Sequence, residues 1–375
     1  MVRVLLRWAV LFWAVTSVAA PSSLPPRPNK ALNESVIFIP NPALGTDLEA
    51  TLFKPDGAGP FPLLVLNHGK SSGDARQQER TRYPAAAREF VRRGYVVLVP
   101  MRGGFSRSTG PYVGKGCNIG ANGVAQARDV RAALDYAVTL PFVDHDRILV
   151  AGQSHGGLAT LAFGMQPYPG VRGLINFAGG LRMQQCENWE DRLVQAFAAY
   201  GRQNRYPSLW FYGENDSFWS VATIDRMVEV YRSGGGLLTR VAVGRFKNDA
   251  HGLIRDRDGV AIWWPHVERF LAELDMPTAM VPRSDIVADP VQQQVIDAGR
   301  ALPTAAKRCR QLYETFIDAD YPRAFVWADD GRCALSAGGV NTLDRALRAC
   351  QGSKPLPCRP YVIDDEVQAS KPAGP

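Results

Sequence analysis

Through the first 274 positions, short apolar runs alternate with amphipathic ones, which predicts a repeating strand and helix order. The runs at 63–66, 95–100, 148–151, 171–177 and 208–212 have the length of strands. They are continuous rather than alternating, as parallel strands buried on both faces require. A further strand is expected at 238–243. Two segments at 35–39 and 48–53, joined by a turn at 41–45, read as antiparallel strands at a sheet edge. Helices are expected at 79–93, ahead of Gly94 as a C-terminal cap, and at 124–138, where Val124, Ala127, Val130, Leu134 and Ala137 recur at helical spacing. Others follow at 157–163, 187–200, 221–232 and 263–274. The fold class this implies over 35–274 is α/β, a mainly parallel sheet covered by helices on both faces.

The pattern then changes. Residues 275–290 contain prolines and no periodicity, which predicts a linker. Beyond it come a helical stretch at 291–317 broken near Pro303, a hairpin turning at Asp329-Asp330-Gly331, a helix at 343–350 and a strand at 360–363. Together they predict a small α+β domain over 291–368, in which no catalytic constellation is visible and whose partner the sequence does not name. At the other end, Arg3 and Arg7 precede an apolar run and the small residues Ser17-Val18-Ala19. That order predicts a signal peptide over 1–19, a proline-rich mature start over 20–34, and an exported protein, periplasmic or secreted. The apolar run is shorter than the ~20 residues a membrane span needs, so no span is expected in the mature chain.

Composition narrows the possibilities. Hydrophobic residues at 46% and charged residues at 21% suit a folded globular chain. The net charge of +7 falls by two once Arg3 and Arg7 leave, and the remaining basic residues are scattered without a run or an aromatic-interleaved patch. Nucleic-acid binding is not expected. Six cysteines in an exported chain, none in a CxxC spacing, point to disulfides rather than a metal site, and no cofactor is implied.

The candidate chemistry centres on RILVAGQSHGG, residues 147–157. A strand, a tight turn with glycine on both flanks of Ser154, and a helix make a nucleophile elbow, which exposes a strained serine hydroxyl. Parallel sheets bind ligands at the carboxyl ends of their strands, so side chains that follow a strand are the candidates to join it. Asp216 follows one strand and His251 another, in the order serine, acid, histidine. Glu214 and Asp249 compete with Asp216 as the acid. His68, His145, His155 and His266 compete with His251, although His68 reads as structural and His155 as contributing through its backbone. The loop 102–110 could touch substrate, and Phe218, Trp219, Trp263 and Trp264 could line a pocket or fill the core.

GPFPLLVLNHG at the first central strand, VPMRGGFSRSTG after the second, LPFVDHDRILVAGQSHGG at the elbow, YGENDSF at the acid and AHGL at the histidine resemble the α/β-hydrolase fold, within it the dienelactone hydrolase-like branch. Dienelactone hydrolases proper carry a cysteine where this chain has Ser154, which favours esterase or peptidase-like relatives. The resemblance implies a Ser154-His251-Asp216 triad. It also implies an oxyanion hole made by the backbone N–H groups of Lys70, after the HG turn, and His155, after the nucleophile. The expected activity is hydrolysis of a carboxylic ester through an acyl-enzyme, on a small-molecule or acyl-ester substrate. Peptidase or acyltransferase chemistry by the same triad is the alternative, and a non-catalytic envelope-binding protein on this scaffold is the reading of another class. Cys117 and Cys186 lie in loops that both leave the carboxyl ends of parallel strands, so a bond between them is expected at the rim of the site. In the tail, Cys350 is expected to pair with Cys358 and Cys309 with Cys333.

Overall fold

The computed structural model describes residues 28–29, 32–281, 290–302, 307–317, 319, 323–337, 341–352, 356–364 and 366–368. The expected signal peptide, most of the proline-rich start and residues 282–289 of the expected linker lie outside the described residues. Those described form two compact units, one from Pro28 to Asp297 and one from Ala298 onward.

The first unit is built on one eight-stranded sheet. Its strands are β1 (Ser35–Asn41), β2 (Thr46–Phe53), β3 (Phe61–Asn67), β4 (Val96–Pro100), β5 (Val143–Gln153), β6 (Val171–Phe177), β7 (Ser208–Tyr212) and β8 (Leu238–Ala242), in the order β1-β2-β4-β3-β5-β6-β7-β8. β1 pairs with β2 and β2 with β4 in antiparallel fashion, and every pairing from β4 through β8 is parallel. The central strands are buried along almost their whole length because helices cover both faces. These helices are α1 (Pro84–Val91), α2 (Ile119–Ala137), α3 (His155–Phe163), α4 (Trp189–Gln203), α5 (Val221–Ser233) and α6 (Val260–Glu273). Two apolar clusters result, one on each face. The first holds Leu63, Val65, Ile148, Val150, Leu158, Phe197 and Trp210, and the second holds Leu64, Leu66, Leu149, Ile175, Phe211 and Trp263.

Differences from the expected boundaries have local causes. The helix expected from 79 begins only at Pro84, since Tyr83 sits at φ 51°, outside helical space, and proline suits the first helical position, where its missing N–H costs nothing. Arg80 and Arg82 ahead of it instead reach the buried carboxylate of Glu34. α2 starts five residues earlier than expected because Asn118 caps it, its side chain accepting the Ala121 N–H at 2.9 Å. Residues 276–281 pack back on this unit: Met276 is buried, the Tyr95 hydroxyl donates to Pro277 O, and Val281 N donates to Arg92 O.

The second unit carries a four-stranded antiparallel sheet, β9 (Arg323–Trp327), β10 (Cys333–Ala337), β11 (Arg359–Ile363) and β12 (Glu366–Val367), in the order β10-β9-β11-β12. α7 (Pro290–Ala301) spans the division between the units, and α8 (Lys307–Ile317) and α9 (Thr342–Gln351) follow. The β9–β10 turn uses Gly331 at φ 83°. Tyr313, Phe316, Phe325 and Tyr361 pack edge-to-face and tilted against one another, while Ala324, Val326, Ala346 and Cys350 form a small core. Disulfides join Cys309 to Cys333 and Cys350 to Cys358. No helix of the described residues is long and apolar enough to cross a membrane.

Candidate active site

Ser154 stands between β5 and α3 at φ 57°, ψ −122°, a region non-glycine residues avoid, and is 6% exposed. The surroundings hold it there. Its N–H donates to Phe177 O on β6, and its carbonyl accepts from Leu158 N and Gly180 N. The flanking glycines are required by contact: a Cβ at Gly156 would come within 2.1 Å of Asn67 O, and one at Gly152 within 2.2 Å of Gly156 O. That close approach brings the end of β3 against the elbow. Asn67 pairs with Gly152 in register, and its side-chain amide donates to Ala151 O and Thr160 Oγ1. The His68-Gly69-Lys70 turn therefore begins beside Ser154, and a Cβ at Gly69 would lie 3.3 Å from Ser154 Cβ.

Asp216 follows β7, and its carboxylate is fully buried. It accepts from the backbone N–H groups of Phe218 at 2.8 Å and Trp219 at 3.2 Å, and it contacts His251 Nδ1 at 3.0 and 3.1 Å. An ionised carboxylate at Nδ1 fixes the imidazole proton there and leaves Nε2 as an acceptor. His251 lies in a 3-10 turn, Ala250–Gly252, after β8. Three contacts anchor it: Gln153, the neighbour of Ser154, donates to its carbonyl at 3.0 Å, Asp249 accepts its N–H at 2.9 Å, and the Phe218 ring stacks on the imidazole at 4.2 Å between centroids.

The competing residues fall elsewhere. Asp249 accepts from the Ser217 hydroxyl and N–H and from the His251 backbone, so it shapes the loop and makes no bond with the imidazole. Although its partial burial opposes charge, these donors hold its carboxyl below the usual range. Glu214 is exposed, as is His145, and His266 packs against Phe211. Trp263 and Trp264 belong to the core with Phe90, whereas Trp219 is buried with its indole N–H on Ala178 O. Phe218 alone of the four is exposed at the site, 38%. The disulfide Cys117–Cys186 ties the loop after β4 to the loop after β6, with Cα atoms 5.6 Å apart.

Sequence reasoning missed a buried polar network beside Ser154. His68 and His155 are both buried, and desolvation, followed by the positive charge of Arg102, holds both pKa values well below the usual histidine value. Asn122, Gln126 and Asp129 form a buried stripe on α2 that meets them: Asn122 Oδ1 lies 2.7 Å from His155 Nε2, Gln126 Oε1 accepts from Arg102 Nε, and Asp129 accepts from Gly103 N. The legible signal was polar residues at helical spacing within an otherwise apolar helix. Tyr83 and Arg255 were missed as well, both of which donate to Gln153 Oε1.

The antiparallel entry strands, the parallel run from β4 to β8, and an elbow, an acid and a histidine after β5, β7 and β8 decide the architecture. This is an α/β-hydrolase. A family model described as X-Pro dipeptidyl-peptidase (S15 family) matches residues 45–206 of the hydrolase unit. Among solved structures, an acylaminoacyl peptidase from Pyrococcus horikoshii is similar at 14% identity and TM-score 0.49, over 68% of this chain and 43% of its own. This chain thus spans less than half the length of that relative. An esterase from Pyrococcus furiosus is similar at 14% identity and TM-score 0.48, over 68% of this chain and 99% of its own. A Klebsiella pneumoniae protein assigned as a dienelactone hydrolase is similar at 16% identity and TM-score 0.44, over 64% of this chain and 98% of its own. No curated protein is similar enough in sequence to count as a relative of the hydrolase.

Proposed function

We propose that this hydrolase is an exported enzyme that cleaves a carboxylic ester through an acyl-enzyme on Ser154. The observation that carries the reading is the buried Asp216 carboxylate at 3.0 Å from His251 Nδ1, on loops that converge with the strained elbow of Ser154. In the first half-reaction, Ser154 Oγ attacks the carbonyl carbon and its proton passes to His251 Nε2. The imidazolium is stabilised by Asp216, and the oxyanion is met by the backbone N–H groups of Lys70 and His155. Collapse breaks the bond to the alcohol, which takes the proton from Nε2. Water then repeats the sequence on the acyl group and releases the acid and free Ser154.

The choice of ester rests on the charges that surround the site. The ammonium of a peptide amino terminus pairs best with a carboxylate, and the two carboxylates beside His251 are already engaged. The nearby side chains of Lys70, Arg182 and Arg255 are cationic: Arg182 donates to Ser217 O, and Arg255 bonds Gln153. Export is supported by the three disulfides, which persist in oxidising compartments. Peptide cleavage is the second reading, favoured by the match to the X-Pro dipeptidyl-peptidase family.

Parallel panels of acyl esters and of peptides, including proline-containing dipeptidyl amides, test the choice. Ester turnover that vanishes in Ser154→Ala supports the proposal. Turnover of peptides with none of esters overturns it in favour of the second reading, and turnover of neither overturns both.

A further inference from the structure

Arg102 is a guanidinium with no exposed surface, located just after β4, and its backbone N–H and both Nη atoms reach the two histidines beside the oxyanion donors. On one side, its backbone N–H donates to His68 Nε2 at 3.1 Å and its Nη1 to His68 O at 2.7 Å. Because His68 Nε2 accepts, the ring proton sits on Nδ1, which donates to Gly69 O at 2.6 Å. That carbonyl and the Lys70 N–H belong to the same peptide group. In a trans peptide the two point in opposite directions, so fixing the carbonyl aims the N–H. On the other side, Arg102 Nη2 donates to His155 Nδ1 at 3.1 Å, and His155 Nε2–H donates to Asn122 Oδ1 at 2.7 Å. His155 carries the second oxyanion N–H. Its ring is thus pinned at both nitrogens, while Arg102 Nε is held by Gln126 Oε1 at 3.0 Å.

We propose that Arg102, acting through the rings of His68 and His155, positions both backbone donors of the oxyanion hole. This rests on the reading of Ser154 as the nucleophile. Burying a guanidinium is expensive, and here it has no carboxylate in direct contact: the Asp129 carboxylate accepts from the Gly103 N–H instead. Desolvation accordingly pushes its pKa down to about 10. What it does accomplish is to tie two separate chain segments, the turn after β3 and the start of α3, to a single rigid fork. Oxyanion donors stabilise a transition state only when held in place beforehand. Arg102 touches no substrate in this scheme.

The test uses the rate of covalent labelling of Ser154 by a fluorophosphonate, whose phosphoryl oxygen must enter the oxyanion hole, alongside kcat, KM and thermal midpoint. Arg102→Lys keeps the charge and the backbone N–H but loses the fork. It is expected to slow labelling and kcat on the order of 10- to 100-fold with KM within about threefold. His68→Leu, which keeps bulk without the hydrogen bond, should slow labelling similarly. His68→Asn, whose amide can still donate to Gly69 O, should recover most of the rate, a rescue that a merely space-filling role would not give. Wild-type labelling rates in folded Arg102→Lys, or equal rates in His68→Leu and His68→Asn, overturn the inference. If Arg102→Lys does not fold, the two His68 variants decide. Failure of the wild type itself to label overturns the nucleophile reading, and this one with it.

Discussion

At the residue scale, the account turns on three side chains with unequal tolerances. Ser154→Ala is expected to remove ester turnover, and His251→Ala nearly as much, because the triad acts as a unit. Asp216→Asn keeps the shape but can no longer hold the Nδ1 proton of His251, so kcat should fall by about 10⁴-fold, as wrong-tautomer variants do elsewhere. Glu214→Gln, exposed and without contact to the imidazole, should keep wild-type kcat. Steady-state kinetics on one activated ester check all four, and equal activity in Asp216→Asn and wild type would contradict the assigned acid. Ser154, Asp216 and His251 could be picked out of the sequence because each lies in the segment that follows a strand and their order in the chain is restrictive. Arg102, Asn122 and Gln153 were not. Their roles depend on partners 24 to 98 residues away, and no local pattern marks such pairs.

At the scale of elements, the β5–α3 junction leaves no room for a side chain. Gly156→Ala would place a Cβ 2.1 Å from Asn67 O, a backbone atom that cannot swing aside, so the end of β3 must move. The expected outcome is a large loss of thermal midpoint together with loss of activity, measured by circular dichroism and the same ester assay. The rim disulfide closes a separation of 69 residues, worth about 4 kcal/mol in the chain-entropy account. Cys117→Ser with Cys186→Ser should therefore lower the denaturant midpoint. An unchanged midpoint would show that the bond does not restrain the unfolded chain. Strand positions were readable because burial on both faces leaves continuous apolar runs, as at Val171–Phe177 and Ser208–Tyr212. Helix starts were less so: α1 waits for Pro84 while α2 begins early on Asn118, both decided by caps rather than by periodicity. The structure pairs the cysteines as expected: Cys117 meets Cys186 because the loops after β4 and β6 leave the carboxyl ends of parallel strands, and the tail pairs Cys350 with Cys358 and Cys309 with Cys333.

At the scale of the molecule, two buried neutral histidines give stability a pH dependence. The pKa values of His68 and His155 are depressed in the fold, first by desolvation, so the unfolded chain takes up the protons first, near pH 6.5. Their contribution is complete above that pH and is lost as pH falls below it, at up to about 1.4 kcal/mol per pH unit for each group. Urea unfolding at pH 7.5 and 5.5 should show the drop, and His155→Gln should flatten it; an identical slope in both proteins would contradict the assignment. A second, smaller unit was readable from the change of pattern after residue 274, but the units divide at Asp297/Ala298 rather than before 291, and residues 276–281 still pack on the hydrolase unit, which an aperiodic stretch does not announce. The central claim is that this chain is a serine hydrolase acting through Ser154. Its most direct test is peptide mapping of the wild-type protein after reaction with a fluorophosphonate. The account predicts a single adduct on Ser154, absent from Ser154→Ala and strongly slowed in His251→Ala; an adduct on another serine, or none at all, would contradict it.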